Sequence, residues 1–173
     1  MIMYVIILIS LLSFLSLAPW VPTRWNDLKR IHQIMWLLPG QKMLEIWCGN
    51  ARVSLYLARH NPKVHIIGIE LSPLLYLISK LRVGISWLKN IDIIYWNALS
   101  HDMSHYDALY IFGLPHSVTH KIFPKLQLQM KWDAVFYSYC FDMKNDYFSR
   151  LQHKPNSHTY SIYEYKHKKN SIS

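Results

Sequence analysis

From residue 42 onward, short runs that are apolar throughout alternate with longer runs of helical periodicity, and no other feature narrows the fold as much. Strands are expected over 42–47, 64–70, 91–96, 108–112, 134–141 and 159–165, and helices over 52–60, 72–89 and 115–130. Ser72 and Pro73 suit the N-cap and first position of the second helix, and Pro124 should bend the third. One more helix is expected ahead of the first strand. Thr23 offers its N-cap, Leu28, Ile31, Ile34, Met35 and Leu38 recur at its spacing, and Pro39-Gly40 stops it. Strands apolar on both faces need cover on both, and helices between them make parallel crossovers. The pattern therefore predicts a three-layer α/β sandwich around a mostly parallel sheet. Such sheets take ligands beyond the carboxyl ends of their strands, where the strand order reverses.

Residues 1–17 are of another kind: they carry no charge, and the first charged side chain is Arg24. As a helix this run would cover roughly 26 Å, slightly less than the hydrocarbon core of a bilayer. A signal peptide would want a basic n-region, and none is present. A buried core helix would show a polar face, yet only three serines interrupt the run. A single-pass membrane anchor over 1–17 fits best, with the domain over 18–173. Arg24, Lys29 and Arg30 follow it, so the positive-inside rule places that domain on the cytoplasmic side. Between the two, Ala18-Pro19-Trp20-Val21-Pro22 cannot be helical throughout.

The net charge of +9 suits an anionic surface, either lipid headgroups or nucleic acid. With an anchor expected, the membrane is the simpler partner. The basic residues are scattered apart from Lys166-His167-Lys168-Lys169, and no groove-reading element is visible, so no nucleic-acid partner is expected. Cys48 and Cys140 give neither a disulfide framework nor zinc spacing. A helix start beside Cys48 could lower its pKa, although no partner base can be identified. His116 and His120 lie four apart, as do His101 and His105; each pair makes half a metal site, and no metal is expected.

The first strand runs into Glu45-Ile46-Trp47-Cys48-Gly49-Asn50-Ala51, and the second ends at Glu70 followed by Leu71. Glu70 stands 21 positions after Gly49, the separation of an acidic residue from a Gly-rich turn in nucleotide-binding α/β units. A carboxylate at that strand end accepts hydrogen bonds from ribose hydroxyls, while a tight turn lets backbone amides approach the ligand. Glu45, in an apolar strand, needs a partner, because buried carboxylates are rarely left unpaired. Asn97 follows the third strand and is either a ligand contact or a turn residue. Tyr137, Tyr139 and Phe141 alternate in the fifth strand, where they pack the core or wall an acceptor site.

These segments resemble class I, Rossmann-like, S-adenosylmethionine-dependent methyltransferases, which carry an acidic residue, a Gly-x-Gly-x-Gly turn and an acidic residue closing the second strand. Three further segments are similar to a subgroup of small membrane-associated lysine methyltransferases that act on the ATP synthase c-subunit and the adenine nucleotide carrier. They are Pro19-Trp20-Val21-Pro22-Thr23-Arg24, Gly68-Ile69-Glu70-Leu71-Ser72-Pro73 and Ile111-Phe112-Gly113-Leu114-Pro115. The likeness spans 18–141 and fades afterwards. It implies S-adenosylmethionine as cofactor, held by Glu45 near the methionine amino group and by the turn of Trp47, Cys48, Gly49, Asn50 and Ala51. It further implies Glu70 on the ribose, Leu71 and Asn97 at the adenine, and Phe112 beside the methyl group. The acceptor implied is a lysine of a membrane-associated protein, with no catalytic base assigned. The turn departs from the pattern: Trp47 and Ala51 replace the first and third glycines, and Asn50 replaces an aspartate. A degenerate, non-catalytic, membrane-tethered scaffold is therefore the alternative.

Overall fold

The computed structural model describes residue 4 and residues 23–143, 145–156 and 158–168. The expected anchor over 1–17 and the Pro19–Pro22 part of the first resemblance motif lie outside the described residues, Tyr4 apart. Among the described residues no helix is long and apolar enough to cross a membrane.

Seven strands form one sheet in the order β3-β2-β1-β4-β5-β7-β6. They are β1 (Lys42–Ile46), β2 (His65–Glu70), β3 (Ile91–Tyr95), β4 (Ala108–Ile111), β5 (Val135–Tyr139), β6 (Phe148–His153) and β7 (Ile162–His167). The first five pair in parallel; β7 runs antiparallel to β5, and β6 antiparallel to β7. Chain order reverses between β1 and β4, so the carboxyl ends of β1, β2 and β4 enclose the switch point. The expected three-layer, mostly parallel sandwich is what forms.

Helices α1 (Trp25–Met35), α2 (Arg52–His60) and α3 (Pro73–Ser86) accompany one core cluster, built on Leu28, Ile31, Leu57, Ile66 and Tyr110. The second cluster holds Leu44, Ile46, Ile69, Leu109 and Ile111 on the opposite sheet face, with Val118, Ile122 and Leu126 packed among them. No helix joins β3 to β4; the loop between them contributes Ala98, Met103 and Tyr106 to the same core.

Four expectations need correction. The first helix has Arg24, not Thr23, at its N-cap, and it ends at Met35 because Trp36 turns left-handed. The 115–130 segment is not one bent helix. It consists of α4 (Pro115–Ser117), a π-helical turn (Val118–Ile122) and α5 (Phe123–Gln129). Pro124 lacks the N–H that would bond the carbonyl four residues back, and a π turn just before it removes that demand. The fifth strand stops at Tyr139, since Cys140 sits at φ 71. Strand β6 was unexpected: only Phe148 of its six residues is buried, so it shows neither an apolar run nor alternation.

Candidate functional site

At the switch point the chain turns from β1 into α2 through residues 47–51. Trp47, Gly49 and Ala51 all have positive φ, at 58°, 56° and 55°. Glycine adopts this region freely, whereas other L-residues carry about 1 kcal/mol of strain there. The turn thus keeps a glycine-type backbone at three alternate positions while only Gly49 is glycine.

Glu70 holds this turn. Its Oε2 accepts the Gly49 N–H at 2.8 Å, and its Oε1 accepts the N–H groups of Leu71 and Ser72 at 2.9 and 2.7 Å. Burial raises its pKa, and the three backbone donors oppose that shift. The sequence-predicted pair of Gly49 and Glu70 is therefore in direct contact. Leu71 follows at the end of β2, and the Trp96 N–H bonds the Glu70 carbonyl, which brings the β3 exit alongside. There Asn97 accepts the Leu99 N–H at 3.0 Å through its side chain, so it shapes a turn next to the β2 end.

Glu45 is buried and pairs in register with Gly68 on one side and Tyr110 on the other. Its Oε2 accepts both the backbone N–H of Ser54, at 2.8 Å, and the Ser54 hydroxyl. Ser54 lies in the first turn of α2, where N–H groups need acceptors, so the strand carboxylate caps the helix from below. Burial pushes the Glu45 pKa up to about 7, the Ser54 bonds pull it back, and the charge of Glu70 adds a smaller upward push. Beside Glu45, the Tyr110 hydroxyl is buried without a hydrogen-bond partner among the described residues. An acid near neutrality beside an unmatched hydroxyl suits a polar or cationic group of a ligand.

Cys48 turns inward. A Cβ on Gly68 would lie 2.8 Å from its Sγ, so Gly68 makes the room the thiol occupies. Burial, with Glu45 and Glu70 near it, pushes the Cys48 pKa well up. The expected helix-start lowering is overturned: the low-dielectric surroundings and two acidic neighbours outweigh the amides. Trp47 goes to the other side of the turn, where its ring lies against Gly113 and a Cβ there would meet Cζ3 at 2.8 Å. The indole thus bridges the ends of β1 and β4.

Beyond β4 an aromatic corner forms that sequence reasoning found only in part. Phe112 packs edge-on against Tyr139 and near-parallel to Phe141, with ring centroids 4.9 and 6.5 Å apart. Tyr160 meets Tyr139 edge-on, and the Arg24 guanidinium lies over Tyr160. Buried Asp27 anchors the corner, accepting the Tyr139 hydroxyl at 2.6 Å and Arg30 at 2.5 Å. Asp27 was missed, and its only sequence signal is a carboxylate one position from the apolar stripe of α1. Tyr137 points elsewhere, its hydroxyl 3.4 Å from the Met35 carbonyl.

The remaining candidates do not converge on this corner. His101 bonds Tyr106 and His105 pairs with Asp102, whose charge His101 also feels. His116 and His120 are ring neighbours at 4.5 Å. Among the described residues, no three His, Cys, Asp or Glu side chains gather as a metal site would need. A cavity of about 240 Å³ opens at the opposite ends of the strands, lined by Gln41, Asp107 and Tyr137, so Tyr137 faces this cavity and not the switch point.

No known family profile matches this sequence. Over 123 residues it is 30% identical to a probable ribosomal RNA small subunit methyltransferase A of Methanosphaera stadtmanae, covering 70% of this chain. The chain spans 42% of that relative's length. Among solved structures it is similar to an RNA methyltransferase of Salinibacter ruber in complex with S-adenosyl-L-homocysteine. The TM-score is 0.75 at 18% identity, over 88% of this chain and 98% of that one. A precorrin-6y C5,15-methyltransferase of Geobacter metallireducens superposes at 0.67 with 14% identity, over 87% and 91%. The fold is that of the class I S-adenosylmethionine-dependent methyltransferases.

Proposed function

We propose that this chain transfers a methyl group from S-adenosylmethionine to an amine, specifically a lysine of a protein in or beside a membrane to which residues 1–17 tether the domain. The observation that carries this reading is the turn itself: two buried carboxylates flank a backbone of glycine-type shape at the switch point. The residues present suit the cofactor. Glu70 would hold the ribose, with Leu71 and Asn97 beside the adenine. Glu45 and the Tyr110 hydroxyl would take the amino end, over Cys48, Gly49, Asn50 and Ala51. When bound, S-adenosylmethionine supplies a methyl group already activated by its sulfonium, which leaves the protein to align an acceptor and exclude water. Phe112, Tyr139 and Phe141 supply that exclusion. In such low-dielectric surroundings an entering ammonium has a lowered pKa and gives its proton to bulk water as it enters, leaving the amine as nucleophile, so no strong base is needed.

A second acceptor reading is supported by the Methanosphaera relative's name and by the +9 charge: ribosomal RNA in place of lysine. A third is the non-catalytic scaffold, which the Trp47 indole against Gly113 favours. Calorimetric titration of the full chain with S-adenosylmethionine and its demethylated product separates the third from the first two. Micromolar binding that disappears in Glu70→Ala supports transfer; a folded chain that binds neither leaves only the scaffold. Transfer of radioactive methyl into membranes or into ribosomal RNA, followed by lysine analysis, then assigns the acceptor.

A further inference from the structure

Helix α3 is built inside out. Ser79 is the buried residue among its fourteen, while Leu74, Leu77, Ile78, Leu81 and Ile85 are exposed. Their spacing places all five on one stripe of the helix. Leu81 is 65% exposed, and Trp87, just past the helix end, is 83% exposed. At the other end of α3, Tyr76 touches Tyr95 of β3, and Trp96 follows, half exposed. An apolar stripe bracketed by exposed aromatic rings has the makeup of a surface that sits at a lipid–water boundary.

Charge points the same way. Residues 51–100 carry six lysines and arginines, namely Arg52, Arg59, Lys63, Lys80, Arg82 and Lys89, against two acids. Of those acids Glu70 is buried and Asp92 is paired with His65, so nothing acidic on α3 repels an anionic surface. Thr23, just before α1, is also tied to the turn that α3 contacts. Arg52 donates to the Thr23 carbonyl at 2.9 Å, and Arg82 of α3 donates to the Asn50 carbonyl at 2.6 Å. Thr23 and α3 are thus fastened to one short stretch of the β1–α2 turn.

We infer that the exposed face of α3, from Leu74 to Ile85 with Trp87, lies on the surface of an anionic lipid membrane, half-inserted among the headgroups. This stands independently of methyl transfer. It fixes the domain's orientation, because α3 begins directly after β2 and its start shares the candidate site's rim.

The test places a fluorophore on Leu81→Cys and, separately, on Leu128→Cys, an exposed position on α5, in the full chain. The otherwise unchanged chain serves as the labelling blank for Cys48 and Cys140. On vesicles of phosphatidylcholine with about one third phosphatidylserine, the label at 81 should lose iodide quenching at least about fivefold and gain quenching by doxyl-lipids. The label at 128 should change little. Equal iodide access at both positions on vesicles overturns the inference, since the start of the chain alone would then do the tethering. Shielding of 81 without vesicles overturns it too. If that shielding grows with protein concentration, a second copy covers the face; if it does not, residues 1–17 do.

Discussion

The two ends of the candidate site are built by different means. At the ends of β1 and β2 the geometry is fixed by backbone, with N–H groups of Gly49, Leu71 and Ser72 gathered on one carboxylate. Around β4 and β5 it is fixed by side-chain packing, with rings on rings and an indole on Gly113. A backbone-built end tolerates replacement of its side chains so long as left-handed residues can still be accommodated. A packed end tolerates little, because each ring fills the space its neighbour leaves. The turn holds positive φ at Trp47, Gly49 and Ala51 although only Gly49 is glycine, so its course there is set by backbone and not by the side chains it carries.

Removing the carboxylate should give the largest effect. Glu70→Ala strands three N–H groups, that of Ser72 buried and those of Gly49 and Leu71 half-buried, and a buried one costs roughly 1–3 kcal/mol, partly recovered by entering water. Thermal unfolding should show a loss of about 3 kcal/mol, and affinity for S-adenosylmethionine should fall more than about 100-fold by calorimetry. Retained stability and binding would mean that the first end is not backbone-built around Glu70. At the packed end, Gly113→Ala drives a methyl group to 2.8 and 2.9 Å from the Trp47 ring and 3.2 Å from Val118. Overpacking of this kind costs about 2 kcal/mol. In a Trp47→Gly background most of that cost should vanish, giving a coupling of about 1–2 kcal/mol in a double-mutant cycle. Simple additivity would show that the indole does not occupy this space in solution.

How far the sequence disclosed all this depended on which physics carried the information. The parallel core was legible, because its strands are apolar on both faces and its helices keep their period. So was the Gly49–Glu70 pair, whose separation reflects the length of one strand–helix–strand unit. The backbone shape of the turn was not legible. Trp36, Trp47, Ala51, Trp87 and Cys140 all occupy left-handed conformations that sequence reasoning reserves for glycine or asparagine. Consequently Trp47 looked like the loss of a turn, and Trp36 and Trp87 gave no warning of helix ends. Asp27, Arg24 and Tyr160 meet through side chains from opposite ends of the chain, and spacing cannot show that. Strand β6 escaped because an edge strand facing solvent has no apolar face to display.

Glu45 joins the two ends, and its titration offers a milder probe. Its folded pKa is about 7, raised mainly by burial from an ordinary 4.5. Between those values the folded chain therefore holds a proton that the unfolded chain has lost. Stability from this group is full below 4.5 and fades as pH rises toward 7, the reverse of a salt-bridged acid. Replacement by Gln should flatten that part of the stability–pH curve. If the ionised carboxylate meets the cofactor's amino group, affinity should rise about fivefold from pH 6 to 7, following the ionised fraction of Glu45 before the amino group itself deprotonates. The dependence should be absent in Glu45→Gln; a flat profile in both chains would move the amino end elsewhere.

The smallest expected effect tests the comparison most directly. Ala51 is fully buried at φ 55, donating its N–H to Cys48 and accepting that of Leu55. Ala51→Gly relieves about 1 kcal/mol of left-handed strain. It also forfeits a buried methyl group worth about 0.8 kcal/mol and loosens the unfolded chain by a similar amount. The net change in stability should stay within about 1 kcal/mol, and cofactor affinity should move less than about twofold. Trp47→Gly, by contrast, removes an indole lying between the two ends, and affinity should rise about tenfold if that ring crowds the methionine portion. The double variant should then bind no better than Trp47→Gly alone, because the backbone at 51 already has the required course. Equal gains from the two single changes would instead put the limitation in the backbone of the turn, and the division between a backbone-built end and a packed end would fall.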